Sequence, residues 1–442
     1  MDFLKIETFF DINNNEDRTI EVLSAVYQNI TVLKEKVRKI GEGILDNENI
    51  IKGKKILLKP NWVTHDRKPD DEWSLRTHDA VILALVEILI EQNPASIIIG
   101  DAPIQGCDWN KMLSKNFIND IEVLKDKYKI PIAIKDFRRV TFNPVLNNPI
   151  KDRRPLTDYV IFDLGTNSFL DPISTENNIF RVTNYDPDRL AESHRKGIHK
   201  YCITKELFEA DVVISLPKVK THQKTGITCA LKNIVGVNGD KDYLPHHRIG
   251  GTGFGGDCYP GKNIFRLWSE YILDIANRRQ GSVFYKFFTY SAAILWKLTN
   301  PQKEHHLAAG WHGNDTTWRM VLDLNKISIY GKADGTISDT PQRNLYSLCD
   351  GIIGGQGNGP LEPEPLPLGI LSFTNHSGLN DICMAILMGF DHKKIALLRN
   401  QKIEFSKGDF PISLNGHRIT FEMLSKYAVE TVPPPGWINH LK

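Results

Sequence analysis

The sequence predicts an α/β fold of parallel-rich sheets with flanking helices, arranged in two lobes. Three observations carry that prediction. Short aliphatic runs recur as candidate buried strands, among them KKILL (54–58), SIIIG (96–100) and DVVISL (211–216). An apolar helical segment lies between the first two, the strand–helix–strand order of a parallel sheet. The 442 residues, 41% hydrophobic and 24% charged, suffice for a large core that divides into lobes.

Taken in order, Thr19–Leu45 alternates charged and apolar residues with helical spacing, so residues 1–50 read as an N-terminal helical segment. KKILLKPNW (54–62) is a strand that Pro60 turns into a loop. Ala80–Ile90 is apolar on nearly every face, as a helix packed between layers must be. SIIIG is the next strand, with Asp101 at its C-terminal end. IPIAIKDF (130–137), DYVIFDL (158–164) and DVVISLPK (211–218) are further strands, the last preceded by a short helix over 204–210. GITCALKNIVG (226–236) reads as a helix opened by a glycine turn, and PHHRIGGTGFGGDCYPGK (245–262) as a glycine-rich loop far longer than a connection needs. GSVFYKFFTYSAAILWKL (281–298) predicts an aromatic helix. The internal Lys286 argues against spanning a bilayer and leaves a candidate contact surface for a protein or a membrane surface. Strands at 326–330, 351–353 and 369–373, a helix at 379–388 and a proline-stiffened extended loop at 359–369 complete the chain. The divisions are 1–50, an α/β lobe over 51–262, an aromatic helical insert over 263–310 and a second α/β lobe over 311–442.

A formal charge of +2 argues against general polyanion binding, so no nucleic acid partner is expected. The six cysteines, at 107, 202, 229, 258, 349 and 383, form no CxxC pair. Neither a zinc ribbon nor a cysteine-ligated iron–sulfur cluster is expected, and the thiols read as reduced. MDFLKIETFFDINNNED lacks the basic start and apolar run of a signal peptide, which predicts a cytoplasmic protein.

The chemistry concentrates between Leu216 and Gly261. In LPKVKTH (216–222), Lys218, Lys220 and His222 share parity, so an extended chain projects two ammonium groups and an imidazole to one side. Such a face suits an anion or a proton transfer. Lys232 follows ten residues later among Ile227, Ala230, Leu231, Ile234 and Val235, where partial desolvation lowers an amine pKa. The N–H groups of the helix expected from Gly226 would face an anionic group on a ligand. Lys59, Asn61 and Asp101 stand at strand ends on the same ligand-binding edge. Arg319, in GWHGNDTTWR, adds a cation at the start of a helix capped by Asp315 or Thr316. His246, His247 and Asp257, with Cys258 beside them, could ligate a transition metal. Adjacent histidines on a strand point apart, so only one of the pair faces a given site. GGQGNGPLEP (354–363) lacks the spacing of a dinucleotide fingerprint.

KPNW (59–62), GDAP (100–103), LPKVKTH with TGITCALKNIVG (216–236), and DGIIGGQGNGP (350–360) resemble a family known as domain of unknown function 362, over about residues 50–400. Its members are often described as iron–sulfur proteins because some carry a ferredoxin-like segment, whose cysteines this chain lacks. The order His222, Lys232 and a later histidine is also distantly similar to nickel-pincer-nucleotide lactate racemases. That resemblance implies His222 as the acid/base for hydride abstraction, Lys232 as the anchor of a nickel-nucleotide cofactor, and His247 or His246 as nickel ligand. Where the racemases have small glycines before the lysine, this chain has Cys229, Ala230 and Leu231.

Three functions are consistent with these residues. The first is an enzyme acting on a small anionic hydroxylated or carboxylated substrate by racemisation, epimerisation or redox chemistry, with His222, Lys232 and Asp101 catalytic. The second is a phosphate- or carboxylate-directed transferase or ligase whose lysines clamp the anion. The third is a non-catalytic binding or assembly protein that docks through residues 281–298.

Overall fold

Strands buried on both faces need near-continuous aliphatic runs, and KKILL, SIIIG and DVVISL do form neighbouring strands of one sheet, whereas DYVIFDL pairs into a separate small sheet. The computed structural model describes residues 2–12, 17–143, 148–150, 153–299, 309–401 and 412–441. The first half contains β1 (Leu4–Thr8), α1 (Ile20–Gln28), α2 (Ile30–Gly41), β2 (Lys55–Pro60), α3 (Asp79–Glu91), β3 (Ser96–Asp101), α4 (Lys115–Tyr128) and β4 (Ile132–Asp136). β5 (Tyr159–Asp163), β6 (Ile198–Thr204), β7 (Val212–Leu216), β8 (Lys218–His222), β9 (Gly226–Thr228) and the short α5 (Ala230–Asn233) follow. Beyond the glycine-rich loop come α6 (Ile264–Asn277), α7 (Val283–Leu298), α8 (Thr317–Tyr330), β10 (Asn344–Asn358), β11 (Glu362–Leu366), β12 (Ile370–Thr374), α9 (Ser377–Leu387), β13 (Ile412–Leu414) and β14 (His417–Arg418).

Among the described residues the main sheet has twelve strands in the order β14–β13–β1–β12–β10–β7–β2–β3–β4, with β8, β9 and β11 attached beside β10. β10, β7, β2, β3 and β4 run parallel, whereas β12 is antiparallel to both β10 and β1. Segments placed by sequence in the N-terminal part and in both lobes therefore share one sheet, because β1 and β10 pair across the expected boundaries. Residues 1–50 supply β1 as well as the two predicted helices. Residues 300–308 of the expected insert lie outside the described residues.

Helix α3 is apolar all round because it is enclosed. Val81, Ile82, Leu85, Val86 and Leu89 are fully buried, each contributing about 1.5–3 kcal/mol. The His78 ring caps it, Nδ1 accepting from Ala80 N at 3.1 Å.

Four local expectations are corrected. Residues 226–236 are not one helix: Gly226 has φ +80°, β9 pairs back onto β8, and helical structure begins only at Ala230. Residues 326–330 are the last turns of α8, whose residues Met320–Asn325 and Ile327–Ser328 are buried, so packing overrides the strand preference of ISIY. The 359–369 segment holds a strand, β11, paired only with β10; its prolines are tolerated on an edge that needs no second ladder. The cap of α8 is the Asn314 side chain, which accepts from Thr316 N and Thr317 N, rather than Asp315 or Thr316. All six cysteines are buried and unbridged. No described helix is long and apolar enough to cross a membrane.

Candidate functional site

Parallel pairing sets Leu58 opposite both Ile99 and Ile214, so β2, β3 and β7 end together at one edge of the sheet. Ligands bind at that edge of parallel sheets. There the buried Lys59 Nζ lies 2.8 Å from Asp101 Oδ1 and donates to Pro60 O at 2.7 Å and Asn233 Oδ1 at 3.3 Å. Burial lowers the Lys59 pKa, and Asp101 opposes the shift. The Asp101 carboxylate also accepts from Trp62 N at 2.6 Å and Ala102 N at 2.7 Å. With its oxygens so engaged, Asp101 anchors the strand ends and is poorly placed to shuttle a proton. A β-carbon on Gly236 would overlap Asp101 Oδ1, so glycine is what lets the turn after α5 lie against the pair.

Above this pair opens a cavity of about 480 Å³. Its titratable lining is Asp101, Tyr185, His222, His246 and four lysines: Lys220, Lys224, Lys232 and Lys241. The one carboxylate is already paired with Lys59, so the amines of the lining outnumber its carboxylates. Three further lining atoms, Asn61 Oδ1, Thr183 Oγ1 and Thr228 Oγ1, are buried without a hydrogen-bond partner among the described residues. Each can hydrogen-bond a polar group placed in the cavity.

Lys218 does not join this lining, although the sequence predicts that it binds the anion with Lys220. The ladder between β8 and β10 shifts register between Lys218, opposite Asp350, and Lys220, opposite Gly355. The extra residues of that irregularity lie in β10, and Lys218 Nζ is held by β10 and α1, 2.8 Å from Asp350 Oδ2 and 3.1 Å from Tyr27 OH. Lys220 stays at the cavity wall, donating to Leu75 O and, at 3.1 Å, to Pro360 O. Glycine at 355 is required because a β-carbon would press on Lys220 Cβ at 2.7 Å. Arg319 is also apart from the cavity, bonded to Asp315 Oδ1 at 3.2 Å and Phe169 O at 3.0 Å.

The two cavity histidines have opposite hydrogen-bonding senses. His222 Nδ1 accepts from Lys224 N at 3.0 Å and Thr225 N at 3.3 Å. Backbone N–H groups only donate, so the neutral ring carries its proton on Nε2. Burial, then the charges of Lys232 and its neighbours, hold the His222 pKa well below its ordinary value. His246 is the reverse: Nδ1 lies 2.6 Å from Leu244 O, an acceptor, so Nδ1 carries the proton and Nε2 keeps a lone pair. Burial likewise lowers its pKa. Burial, reinforced by Lys241, Lys224 and Lys59, pushes Lys232 down to about 7, and burial pushes Lys241 down to about 8.

Lys232 is held by an unexpected partner. The N–H groups that open α5, Ala230 N and Leu231 N, donate to the Asp381 carboxylate at 2.8 and 3.0 Å, so they do not face the cavity ligand. Asp381 on α9 fixes the turn that carries Lys232.

Of the residues expected to bind a metal, His246 lines the cavity and Asp257 is consumed by Arg248 N, Asp315 N and Thr316 Oγ1. His247 turns the other way and meets Cys258 and Glu270, the three donor atoms lying within 4.8 Å of one another. His247 Nε2 lies 3.8 Å from Glu270 Oε1, so the three side chains face one another in the interior. Sequence reading passed over Lys224, Lys241, Asn233, Glu270 and Asp381. The first two extend the lysine-rich stretch already marked. Asp381, about 150 positions from Lys232, has no local signal at all.

The sequence profile described as Domain of unknown function (DUF362) matches residues 163–385. No curated protein matches the chain. Two solved chains match. One is a crystal structure of a protein from Thermotoga maritima, 10% identical, with a TM-score of 0.33 over 76% of this chain and 53% of that one. The chain thus spans about half the length of that structure. None of these comparisons shows the likeness to lactate racemases.

Proposed function

The chain belongs to the family Domain of unknown function (DUF362), a description that names no reaction, and from its cavity we propose an enzyme acting on a small anionic, hydroxylated or carboxylated substrate. The observation that carries this reading is a pair of neutral imidazoles of opposite sense in one lysine-lined cavity. The lysines neutralise the substrate anion, and Asn61, Thr183 and Thr228 offer partners for its hydroxyl groups. His246 Nε2 takes a proton from the substrate, while His222 Nε2–H donates to the oxygen on which charge develops. Lys232, about half protonated near pH 7, returns a proton from its ammonium group to the opposite face of the same carbon, and solvent then takes the proton left on His246 and restores the one lost by Lys232. Proton removal and return at a carbon beside a carboxylate is racemisation or epimerisation. A redox outcome would need a hydride acceptor in the same cavity. The nickel-nucleotide cofactor implied by the racemase likeness forms no step of this proposal.

The test follows solvent deuterium at the carbon next to the carboxylate of candidate hydroxy acids by NMR, after thermal shift has selected the anions that bind. Exchange should be lost in His246→Gln and His222→Gln while both variants still bind the anion. Exchange that persists in both variants, or a protein stabilised by no small anion, sinks the proposal. A transferase or ligase is the second reading, favoured by four lysines where one carboxylate needs fewer. It predicts stronger stabilisation by pyrophosphate and no deuterium uptake. A purely binding protein predicts that the histidine variants leave its biological role intact.

A transition metal belongs to this proposal at His247, Cys258 and Glu270, a nitrogen, sulfur and oxygen set suited to a borderline divalent ion. Cobalt(II) should give a thiolate charge-transfer band that Cys258→Ser abolishes; no band in the unaltered protein removes the metal. A cytoplasmic location is part of the same reading, supported by six unbridged thiols.

A further inference from the structure

Helices α6 and α7 pack on each other as a hairpin, Ser269 Oγ bonding to Ala292 O at 2.8 Å and the Arg266 guanidinium lying 5.4 Å from the Trp296 ring centroid. Their outward sides remain uncovered. On α7, Val283, Phe287, Tyr290, Ile294 and Leu298 are exposed at helical spacing, with Val283 at 73%, Tyr290 at 68% and Leu298 at 75%. On α6, Ile264, Phe265, Trp268 and Tyr271 are exposed as well. With Phe284, the hairpin holds ten of the nineteen exposed large apolar side chains among the described residues. Such a concentration is a binding surface rather than the scatter found on any protein.

The charges of the hairpin say what binds there. Between residues 262 and 298 the only acidic side chains are Glu270 and Asp274, and both are buried against the body of the protein. The exposed charges are all cationic: Lys262, Arg278, Arg279, Lys286 and Lys297, of which Arg278 pairs with Asp188. Two copies meeting through this face would bring like charges together with no acid on the hairpin to offset them. Aromatic and aliphatic side chains interleaved with lysines are instead the composition of a helix lying in a membrane interface, rings at headgroup depth and ammonium groups on the phosphates. No described helix is long and apolar enough to cross.

We propose that the α6–α7 hairpin docks this protein on an anionic lipid surface. Attachment is peripheral and reversible, through the α7 stripe and the exposed α6 aromatics, with Lys286 and Lys297 on lipid phosphates. The opposite side of α6 carries Glu270, which accepts from Gly250 N at 2.9 Å, so the docked helix adjoins the glycine-rich loop next to the cavity.

The experiment is flotation of the full chain with vesicles of phosphatidylcholine alone and of equal parts phosphatidylcholine and phosphatidylglycerol, with sedimentation velocity run in parallel. The protein should float with the anionic vesicles only, less so at high salt. Lys286→Glu with Lys297→Glu should weaken binding roughly fivefold or more per charge. Phe287→Ser with Tyr290→Ser should weaken it about tenfold or more. These side chains are exposed, so circular dichroism melts of both double variants should match the parent. Failure to float with anionic vesicles overturns the proposal, as does equal flotation with phosphatidylcholine alone. It is equally overturned if the aromatic variant turns an oligomer into a monomer while vesicle binding is absent throughout.

Discussion

Lys218 and Lys220 are two positions apart, yet the first ends on Asp350 and Tyr27 and the second at the cavity. Lys218→Met leaves the Asp350 carboxylate buried without its cation, which should cost about 3–5 kcal/mol in a urea unfolding experiment. Lys220→Met leaves two carbonyls short of a donor, about 1–3 kcal/mol, and additionally weakens anion binding measured by calorimetry. Lys232 carries a pH prediction. Its folded pKa of about 7 lies below that of an unfolded lysine, so the unfolded chain holds more protons between the two values. The penalty for charging it is therefore complete below about pH 7 and fades towards about pH 10. Lys232→Met should raise the melting temperature of the anion-free protein most at about pH 6, with the gain shrinking as pH rises. Anion affinity should show the opposite price: strongest at low pH in the parent, and nearly flat through about pH 7 in the variant.

At the scale of elements, α5 has four residues and cannot hold itself. Asp381 holds it, at about 6 a carboxyl raised by burial and pulled back by the N–H groups of Leu231 and Ala230. Asp381→Ala strands two buried donors and should cost about 1–3 kcal/mol. The same change should weaken anion binding although Asp381 does not line the cavity, because Lys232 loses its mounting. Calorimetric affinity equal to the parent's would show that α5 keeps its place unaided. β8 shows a related dependence: Asp350 of β10 and Tyr27 of α1 hold Lys218 away from the cavity that Lys220 lines.

At the scale of the molecule, β10 joins β7 on one side and β12 on the other, while β1 closes the row between β12 and β13. Lobes with separate sheets would melt separately. One shared sheet predicts coincident unfolding transitions by tryptophan fluorescence and by far-ultraviolet circular dichroism. Two resolved transitions would show that the shared ladder does not couple the halves.

The sequence by itself determined the α/β class, the strands β2, β3, β4, β5 and β7, helices α3 and α7, and the convergence of Lys59, Asn61, Asp101, Lys220, His222 and Lys232. These follow from local causes: aliphatic period, a proline or acidic residue at a strand end, and the rule that parallel strands end together. Family membership was legible too, in motifs such as KPNW and LPKVKTH. Tertiary structure alone decided that Lys218 leaves the site, that Asp381 rather than a ligand caps α5, and that Glu270 and Cys258 join His247. It also decided the two imidazole tautomers, since each depends on which backbone group a ring nitrogen meets. Lys218 and α5 are set by carboxylates 132 and 151 positions away, and the tautomers by the turn that brings a backbone group within two or three residues onto a ring nitrogen; periodicity within a window of residues carries no record of either.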